Sequence, residues 1–367
     1  MTAGIAVERL QLTLGAFRLG DIDFTLSAGE ILVVLGPNGA GKSVTLETIA
    51  GFHRPACGRV VIGGRDVTAL APERRHIGFV VQSFGLFPHL NVEQNVALAR
   101  RPGRGAAAAS DAALPPHGDA AALLAYFGVA QLARRRPADL SPGEKQRVAL
   151  ARAIAAAPDL FLFDEPFAAL DAQTRGRLRD ELKSFLRALA IPAVFVTHDH
   201  SDALTLADRI VVLRDGVMLQ SGPAAEIFQK PANSTVARFV GVENILDGRV
   251  AALSGGIATV AVGDRMLRAL APWQSDRAGA AVRLGVRAED AIIASPGSAA
   301  AAAPDVNRLD GKIVGLRALG PLVTVEIDCG FALRSYLLTP QARAMNLDIG
   351  KPVTVGIATA AIHVMTE

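Results

Sequence analysis

Cysteine is scarce in this chain of 367 residues, which contains only Cys57 and Cys329. Two cysteines this far apart and without a pattern indicate neither a disulfide framework nor a zinc site. Long hydrophobic runs are absent too, because none approaches the ~18 residues that a membrane-spanning helix needs. The N-terminus does not resemble a signal peptide. We therefore expect a cytosolic protein, and any membrane function would have to come through partner subunits.

An excess of charge of one sign is also lacking. The 38 Lys and Arg residues nearly balance the 35 Asp and Glu residues, and the formal net charge is +3. So small a charge gives no indication of nucleic-acid binding, and we expect no nucleic-acid partner. The length favours roughly two domains, since domains usually contain about 100–200 residues.

A phosphate-binding loop with the motif G-x-x-x-x-G-K-[ST] lies near the N-terminus. Residues 31–35 before it are an aliphatic run that predicts a buried strand, and the apolar spacing of residues 44–50 predicts a helix. We expect Lys42 to contact the terminal phosphates and Ser43 to ligate Mg²⁺. The alternative, a glycine-rich turn with an incidental lysine, does not account for the flanking strand and helix. The loop residues are Gly36, Pro37, Asn38, Gly39, Ala40, Gly41, Lys42 and Ser43.

Two more apolar runs end in polar residues. Residues 160–163 run into Asp164 and Glu165, and residues 193–196 are followed closely by His198. The carboxyl ends of strands are where an α/β sheet places functional groups. Asp164 fits a role beside Mg²⁺, Glu165 fits a base that polarises the attacking water, and His198 could sense the γ-phosphate. From these residues alone, Glu165 could also be an acid at a helix N-terminus, and His198 could be structural.

The order of these motifs carries a resemblance to a known family. Residues 140–144 read Leu-Ser-Pro-Gly-Glu and lie between the loop and the Asp-Glu strand end. The full order is the loop, Gln82, residues 140–144, Asp164 and Glu165, residues 168–171 (Ala-Ala-Leu-Asp), and His198. In this order of motifs the chain resembles the ATP-binding subunit of an ABC transporter, and the resemblance spans roughly residues 5–235.

The resemblance implies an active site that is split between two copies of the chain. In that family a signature segment, here residues 140–144, of one protomer closes on the γ-phosphate bound by the other. Asp171 lies across the seam between the protomers, and Gln82 links the site to the membrane partner. The residues assigned to catalysis are Lys42, Gln82, Glu165 and His198. Those assigned to ATP, beyond the loop itself, are Phe17, Val44, Gln82, Ser141, Gly143, Glu144 and Asp164. Those assigned to Mg²⁺ are Ser43, Gln82 and Asp164.

The signature departs from the family pattern at two positions. Pro142 replaces the usual glycine, which removes a backbone donor and fixes φ. Phosphate contacts must then come from Ser141 and the Gly143 amide. Glu144 replaces the usual glutamine. Neither change removes a catalytic group, and we expect an active enzyme.

The adenine site rests on one aromatic residue. In similar cassettes an aromatic side chain stacks on the base, and Phe17 is the only aromatic among residues 1–23. Stacking binds a planar base without reading its edges. Phe17 as a core strand residue is the alternative.

A helical subdomain is predicted over about residues 85–155. Residues 101–119 within it are rich in Ala, Pro and Gly and are predicted to be a mobile surface insertion. Residues 84–90, directly after Gln82, contain several large apolar side chains that suit a groove for a partner helix. The resemblance assigns this groove to a permease helix, and a plain core loop is the alternative.

The remainder of the chain contains an internal repeat. Residues 244–250 recur as residues 307–313, and residues 279–286 recur as residues 350–357. Two copies of a small unit with short β-branched runs predict two antiparallel barrels, linked near residues 297–304. The pair resembles the accessory TOBE domain of importer ATPases, with modules at about 242–296 and 305–367. That domain either binds the transported oxyanion or only holds the dimer together.

We therefore predict an α/β P-loop ABC cassette with a helical subdomain, followed by an all-β domain of two small OB-like barrels. The predicted function is ATP hydrolysis that drives import, with ATP and Mg²⁺ as cofactors. Expected partners are a second copy, two permease subunits and, indirectly, a solute-binding protein, at the cytoplasmic face of the inner membrane. Several stretches resemble molybdate/tungstate importers, while sulfate, ferric-iron and polyamine importers share most of the cassette. A soluble non-transport ABC ATPase and an oxyanion-responsive regulator are the alternatives from other classes.

Overall fold

The computed structural model describes residues 4–99, 119–168, 170–271, 273, 277–294 and 305–365. The chain divides into two compact units, Met1–Ala225 and Glu226–Glu367. The predicted insertion up to residue 118, the predicted linker at 297–304 and Ala169 lie outside the described residues. Among the helices that the structure describes, none is long and apolar enough to cross a membrane.

A ten-stranded sheet forms the centre of the first unit, in the order β5-β4-β1-β2-β10-β9-β3-β8-β7-β6. Its strands are β1 (Ile5–Leu14), β2 (Phe17–Leu26), β3 (Ile31–Leu35), β4 (Cys57–Ile62), β5 (Arg65–Asp66), β6 (Ile77–Val80), β7 (Leu160–Asp164), β8 (Ala193–Val196), β9 (Arg209–Arg214) and β10 (Val217–Pro223). The half from β9 to β6 is parallel. The other edge, from β5 to β2, is antiparallel.

The parallel strands position the site. Every residue of β3, β7 and β8 is buried, as expected for parallel strands whose two faces are both covered. The structure confirms the three strands predicted at these positions. Since β7 and β3 both pair with β8, the ends of all three strands meet at one edge of the sheet.

Nine α-helices are formed by the described residues. They are α1 (Lys42–Ala50), α2 (Val92–Ala97), α3 (Ala120–Tyr126), α4 (Pro142–Ala155), α5 (Ala172–Leu189), α6 (His200–Leu206), α7 (Ala224–Gln229), α8 (Ser234–Phe239) and α9 (Thr339–Ala344). Helices α2, α3 and α4 pack against one another in the predicted helical subdomain. Helix α1 begins directly after the phosphate-binding loop, as predicted.

The second unit contains two five-stranded antiparallel sheets, ordered β13-β12-β11-β14-β20 and β15-β19-β16-β17-β18. Their strands are β11 (Asn244–Ser254), β12 (Ile257–Val262), β13 (Arg265–Leu270), β14 (Ala281–Val286), β15 (Ile292–Ala294), β16 (Val306–Leu319), β17 (Leu322–Asp328), β18 (Ala332–Leu338), β19 (Pro352–Ala358) and β20 (His363–Met365). The repeat is visible in the pairing, because β11 pairs with β14 as β16 pairs with β19.

The two repeats exchange short strands. β15 follows the first repeat in sequence but pairs with β19 of the second, at Ile293 and Val355. β20 ends the second repeat but pairs with β14 of the first, at Val364 and Leu284. Buried residues of both sheets belong to one hydrophobic cluster. Each sheet is therefore completed by the other repeat.

A buried asparagine at the start of each repeat reinforces this exchange. Asn244 Oδ1 accepts from Arg334 N at 2.6 Å, and its Nδ2 donates to Arg334 O at 2.9 Å. Asn307 Oδ1 accepts from Arg268 N at 2.6 Å, and its Nδ2 donates to Arg268 O at 2.8 Å. Each side chain thus accepts from and donates to the backbone of an edge strand in the opposite repeat, as a neighbouring strand would.

Candidate functional site

The loop between β3 and α1 holds a buried ammonium group. Lys42 Nζ donates hydrogen bonds to the carbonyl oxygens of Gly36 and Pro37, at 2.9 and 3.0 Å. Burial lowers the pKa of Lys42. Neutral carbonyls only partly replace the water that a buried cation has lost, so anionic phosphate oxygens would stabilise Lys42 here.

Two glycines of this loop have no room for a side chain. Gly41, the N-cap of α1, has φ of 99°, and a Cβ there would lie 2.7 Å from Cζ of Phe17. A Cβ on Gly36 would lie 2.2 Å from the carbonyl oxygen of Leu213. The backbone therefore passes directly against the ring of Phe17 and the end of β9, which only glycine allows.

Ser43 and Asp164 bring two oxygen ligands together. Ser43 Oγ donates to Asp164 Oδ1 at 3.0 Å, and the Asp164 side chain is buried. Burial raises the pKa of Asp164, and the hydrogen bond from Ser43 opposes that rise. A hydroxyl and a buried carboxylate fit Mg²⁺, which usually keeps waters and substrate phosphates as its other ligands. Accordingly, the described ranges contain no cluster of three or more His, Cys, Asp or Glu side chains that could hold a metal alone.

Glu165 directly follows β7 in a strained backbone conformation. Its φ is 47°, a left-handed value that is uncommon for a residue with a side chain. Its N–H donates to Val196 O at 3.0 Å, which fixes the turn against the end of β8. Its Oε1 lies 3.0 Å from Nδ1 of His198. Strain at such a position is a mark of functional sites, and here it brings the carboxylate to the histidine.

These groups border one cavity of about 510 Å³. Its lining consists of Phe17, Asn38, Gly39, Gly41, Lys42, Ser43, Val44, Gln82, Glu165 and His198. Every lining residue is among the predicted site residues. Gly36, Pro37 and Asp164 do not line the cavity but bind Lys42 or Ser43, which do. Ala40 is buried and supports the loop.

Phe17 is both a strand residue that packs on the core and a residue that lines the cavity. It is the first residue of β2 and packs, partly buried, against the core cluster. Its ring also lines the cavity, beside Gly41. The ring therefore borders the cavity while it remains part of the core.

The signature residues Ser141, Gly143 and Glu144 do not line this cavity. They form the start of α4. Ser141 is its N-cap, and the Glu144 carboxylate accepts the Ser141 N–H at 2.7 Å, a bond that lowers the pKa of Glu144. Pro142 occupies the first helical position, where a missing N–H costs nothing. The unusual proline and glutamate thus form a well-capped helix start.

Arg152, near the other end of α4, was not predicted from the sequence. Its guanidinium donates to the carbonyl oxygens of Gly85 and Phe84, at 2.5 and 3.1 Å, and lies 5.6 Å from the ring centroid of Phe87. Burial lowers the pKa of Arg152. The signature helix is therefore bonded to the segment that follows Gln82. An arginine in a basic helix gives no sequence signal of such a contact.

The segment after Gln82 is ordered by a buried side chain. Asn95 Oδ1 accepts from Phe87 N at 2.8 Å, and its Nδ2 donates to carbonyl oxygens of residues 87, 90 and 91. Phe87 is 41% exposed, and Phe84, Leu86 and Leu90 are partly exposed. The segment is therefore fixed by hydrogen bonds and leaves Phe87 exposed.

Arg75 is a second supporting residue whose role in the structure was not predicted. This buried side chain donates to the carbonyl oxygens of Thr48 and Ile49, at 3.0 and 2.7 Å, in the last turn of α1. It also donates to those of Thr68 and Leu70, both at 2.9 Å. Arg75 therefore caps the helix whose N-terminus faces the cavity, and it ties that helix to the segment after β5.

Comparison with known proteins adds independent information. Residues 19–168 match the family described as "ABC transporter". The chain is 35% identical to the molybdate/tungstate import ATP-binding protein WtpC of Pyrococcus abyssi, over 98% of this chain and 99% of the relative. It is 35% identical to an Fe(3+) ions import ATP-binding protein of Rhizobium etli, over 98% and 96% of the two chains. It is 38% identical to a sulfate/thiosulfate import ATP-binding protein of Burkholderia mallei, over 96% of each.

A solved structure resembles the first part of the chain. It is the ATP-binding cassette MJ0796, determined as a dimer in a post-hydrolysis state bound to ADP and Pi. The TM-score is 0.51 at 28% identity, with 60% of this chain and 98% of that chain covered.

Proposed function

The chain belongs to the ATP-binding subunits of ABC importers, and we propose that it powers the import of molybdate or tungstate. The observation that supports this substrate is the match to a molybdate/tungstate import protein along nearly the whole of both chains, including the second unit. Ferric-iron and sulfate importers are the competing substrate classes, because relatives with those names match almost as fully.

The enzyme is an ABC-type transporter ATPase. In our proposal, Lys42 binds the terminal phosphates and Glu165 accepts a proton from the attacking water. His198, 3.0 Å from Glu165, orients that carboxylate and contacts the γ-phosphate. Phe17 stacks on the adenine. Ser43, Gln82 and Asp164 would hold Mg²⁺, which when bound neutralises charge on the phosphates.

We further propose that two copies enclose ATP, with Ser141 and Gly143 of one copy completing the cavity of the other. Support comes from the position of the signature, which caps α4 and does not line the cavity of its own chain. The similar cassette MJ0796 was solved as a dimer. In the proposed assembly, residues 84–90 of each copy dock on one of the two permease subunits. The protein therefore lies peripherally at the cytoplasmic face of the membrane. A solute-binding protein on the other face would deliver the substrate.

The substrate proposal is tested by transport through the reconstituted complex with its permease and solute-binding protein. Molybdate or tungstate should stimulate ATP hydrolysis and accumulate in the vesicles, whereas sulfate and Fe³⁺ should do neither. The same vesicles without the solute-binding protein are the control. Stimulation and uptake with sulfate or Fe³⁺, but not with molybdate or tungstate, would reassign the substrate and leave the ATPase assignment intact.

A further inference from the structure

Two ion pairs join the first turns of α5 to the segment that follows β8. Arg175 Nη1 lies 2.7 Å from Asp199 Oδ2, and Arg179 Nη1, one helical turn later, lies 3.4 Å from Asp202 Oδ1. The side chains of Arg175 and Asp199 are each 28% exposed. Both pairs are therefore more shielded from water than an ordinary surface pair.

Arg175 also contacts the segment before α5. Its second terminal nitrogen, Nη2, donates to the carbonyl oxygen of Leu170 at 3.3 Å. The next residue, Asp171, is the N-cap of α5 and accepts from the N–H groups of Gln173 and Thr174. One rigid guanidinium thus connects the backbone beside Asp171 to the carboxylate of Asp199.

Asp199 belongs to the turn that carries His198. It caps α6 by accepting from Ser201 N at 2.8 Å, and its own N–H donates to Thr197 Oγ1 at 3.0 Å. The residues on both sides of His198 are therefore fixed by hydrogen bonds. A displacement of Asp199 must move the backbone of His198, whose ring lies 3.0 Å from Glu165.

We propose that Arg175 is a positioning residue that makes the placement of His198 depend on contact of Asp171 with the second copy of the chain. The proposal rests on the proposed two-copy site. When the partner meets the segment at Leu170 and Asp171, the guanidinium transmits the shift to Asp199. The contact of His198 with Glu165, 3.0 Å in the single copy, is then adjusted to its reactive arrangement in the closed dimer. The Nε of Arg175 is buried and has no hydrogen-bond acceptor among the described residues. The guanidinium therefore keeps one N–H donor that it can use when the contacts of the segment change.

The substitution Arg175→Met tests this role in the full-length protein, because it keeps the apolar stem and removes both hydrogen bonds. We expect kcat for ATP to fall about tenfold, the size of a lost positioning contact worth about 1.4 kcal/mol. KM and the affinity of the monomer for MgATP should stay near the wild-type values, because Arg175 contacts neither the loop nor Phe17. The thermal midpoint should fall modestly, because the partly buried ion pair with Asp199 is lost. Arg177→Met on the same helix is the matched control, since the Arg177 side chain is 74% exposed.

A double-mutant cycle with Asp199→Asn separates transmission from simple damage. Asparagine keeps the cap of α6 and removes the charge that Arg175 binds. The double variant should be no slower than the slower single variant. Losses of kcat that multiply in the double variant, an unchanged kcat in Arg175→Met, or a tenfold loss of MgATP affinity in that variant would overturn the role of Arg175. A wild-type protein that hydrolyses ATP at its full rate while light scattering shows it to be monomeric would instead contradict the two-copy site.

Discussion

At the residue scale, the site combines buried charges that are costly without a ligand. Lys42 and Asp164 are both buried, and burial shifts the pKa of each toward its neutral form. Glu165 adds a left-handed backbone conformation. The folded protein stores free energy in these groups, and nucleotide with Mg²⁺ would recover part of it. Binding and stability should therefore oppose each other at this site.

Asp164→Asn should raise the melting temperature of the nucleotide-free protein. The folded pKa of Asp164 lies above the unfolded value, so the ionised carboxylate destabilises the fold at neutral pH. This cost declines as the pH falls through the folded pKa, and the advantage of the variant should shrink with it. Calorimetry at neutral and acidic pH measures both effects. MgATP should stabilise the wild type only, and a variant that melts at a lower temperature than the wild type at neutral pH would contradict the argument.

At the element scale, α4 connects three parts of the proposed mechanism. Its N-cap Ser141 is the residue that we propose contacts the partner's nucleotide, and Arg152 near its other end donates to the carbonyl oxygens of Phe84 and Gly85. That turn leads to the exposed Phe87. A movement at the docking segment can therefore reach the signature through one helix.

Ser141→Asp separates capping from phosphate binding. Aspartate caps a helix as well as serine does, so the thermal midpoint should stay unchanged, while Ser141→Ala should cost about 1 kcal/mol of unfolding free energy. A carboxylate facing the γ-phosphate should nevertheless lower ATPase activity by more than about tenfold through like-charge repulsion. Steady-state assays and calorimetry of both variants test this. A fully active Ser141→Asp protein would place the signature away from the phosphate.

Asn244→Ala and Asn307→Ala should destabilise the second unit by similar amounts. Each removes equivalent hydrogen bonds to the opposite repeat and leaves backbone groups unpaired, at a cost of about 1–3 kcal/mol. The single tryptophan, Trp273, lies in this unit and reports its unfolding in denaturant. A large effect of one substitution and none of the other would show that the exchange is not symmetric.

Local spacing predicted the loop and the strands β3, β7 and β8, because these features are contiguous in sequence and depend on residue type at short range. Phe17 and Gln82, which also line the cavity, came from the resemblance to a known family and not from spacing. The contacts of Arg175 with Asp199, 24 residues away, and of Arg152 with Gly85, 67 residues away, depend on how helices pack. The strand exchange could not be predicted from the sequence. β15 and β20 contain three residues each, which is too few to reveal the alternating hydrophobic pattern of a strand.

At the scale of the whole molecule, one copy of the chain contains all the parts of the chemistry but not in one place. The cavity is lined by the groups that we propose bind phosphate and water, and the signature residues lie outside it. In the proposed assembly two copies exchange signatures, and turnover requires both. A solitary copy should bind ATP and hydrolyse it very slowly.

The most direct test of this account is Glu165→Gln, assayed for turnover and for mass in solution. Glutamine keeps the shape of the side chain and loses the base, so hydrolysis should fall by about 100-fold or more while MgATP still binds. Light scattering should then show a stable dimer with MgATP and a monomer without nucleotide. A Glu165→Gln protein that turns over at the wild-type rate, or that remains monomeric with saturating MgATP, would contradict the proposed shared active site.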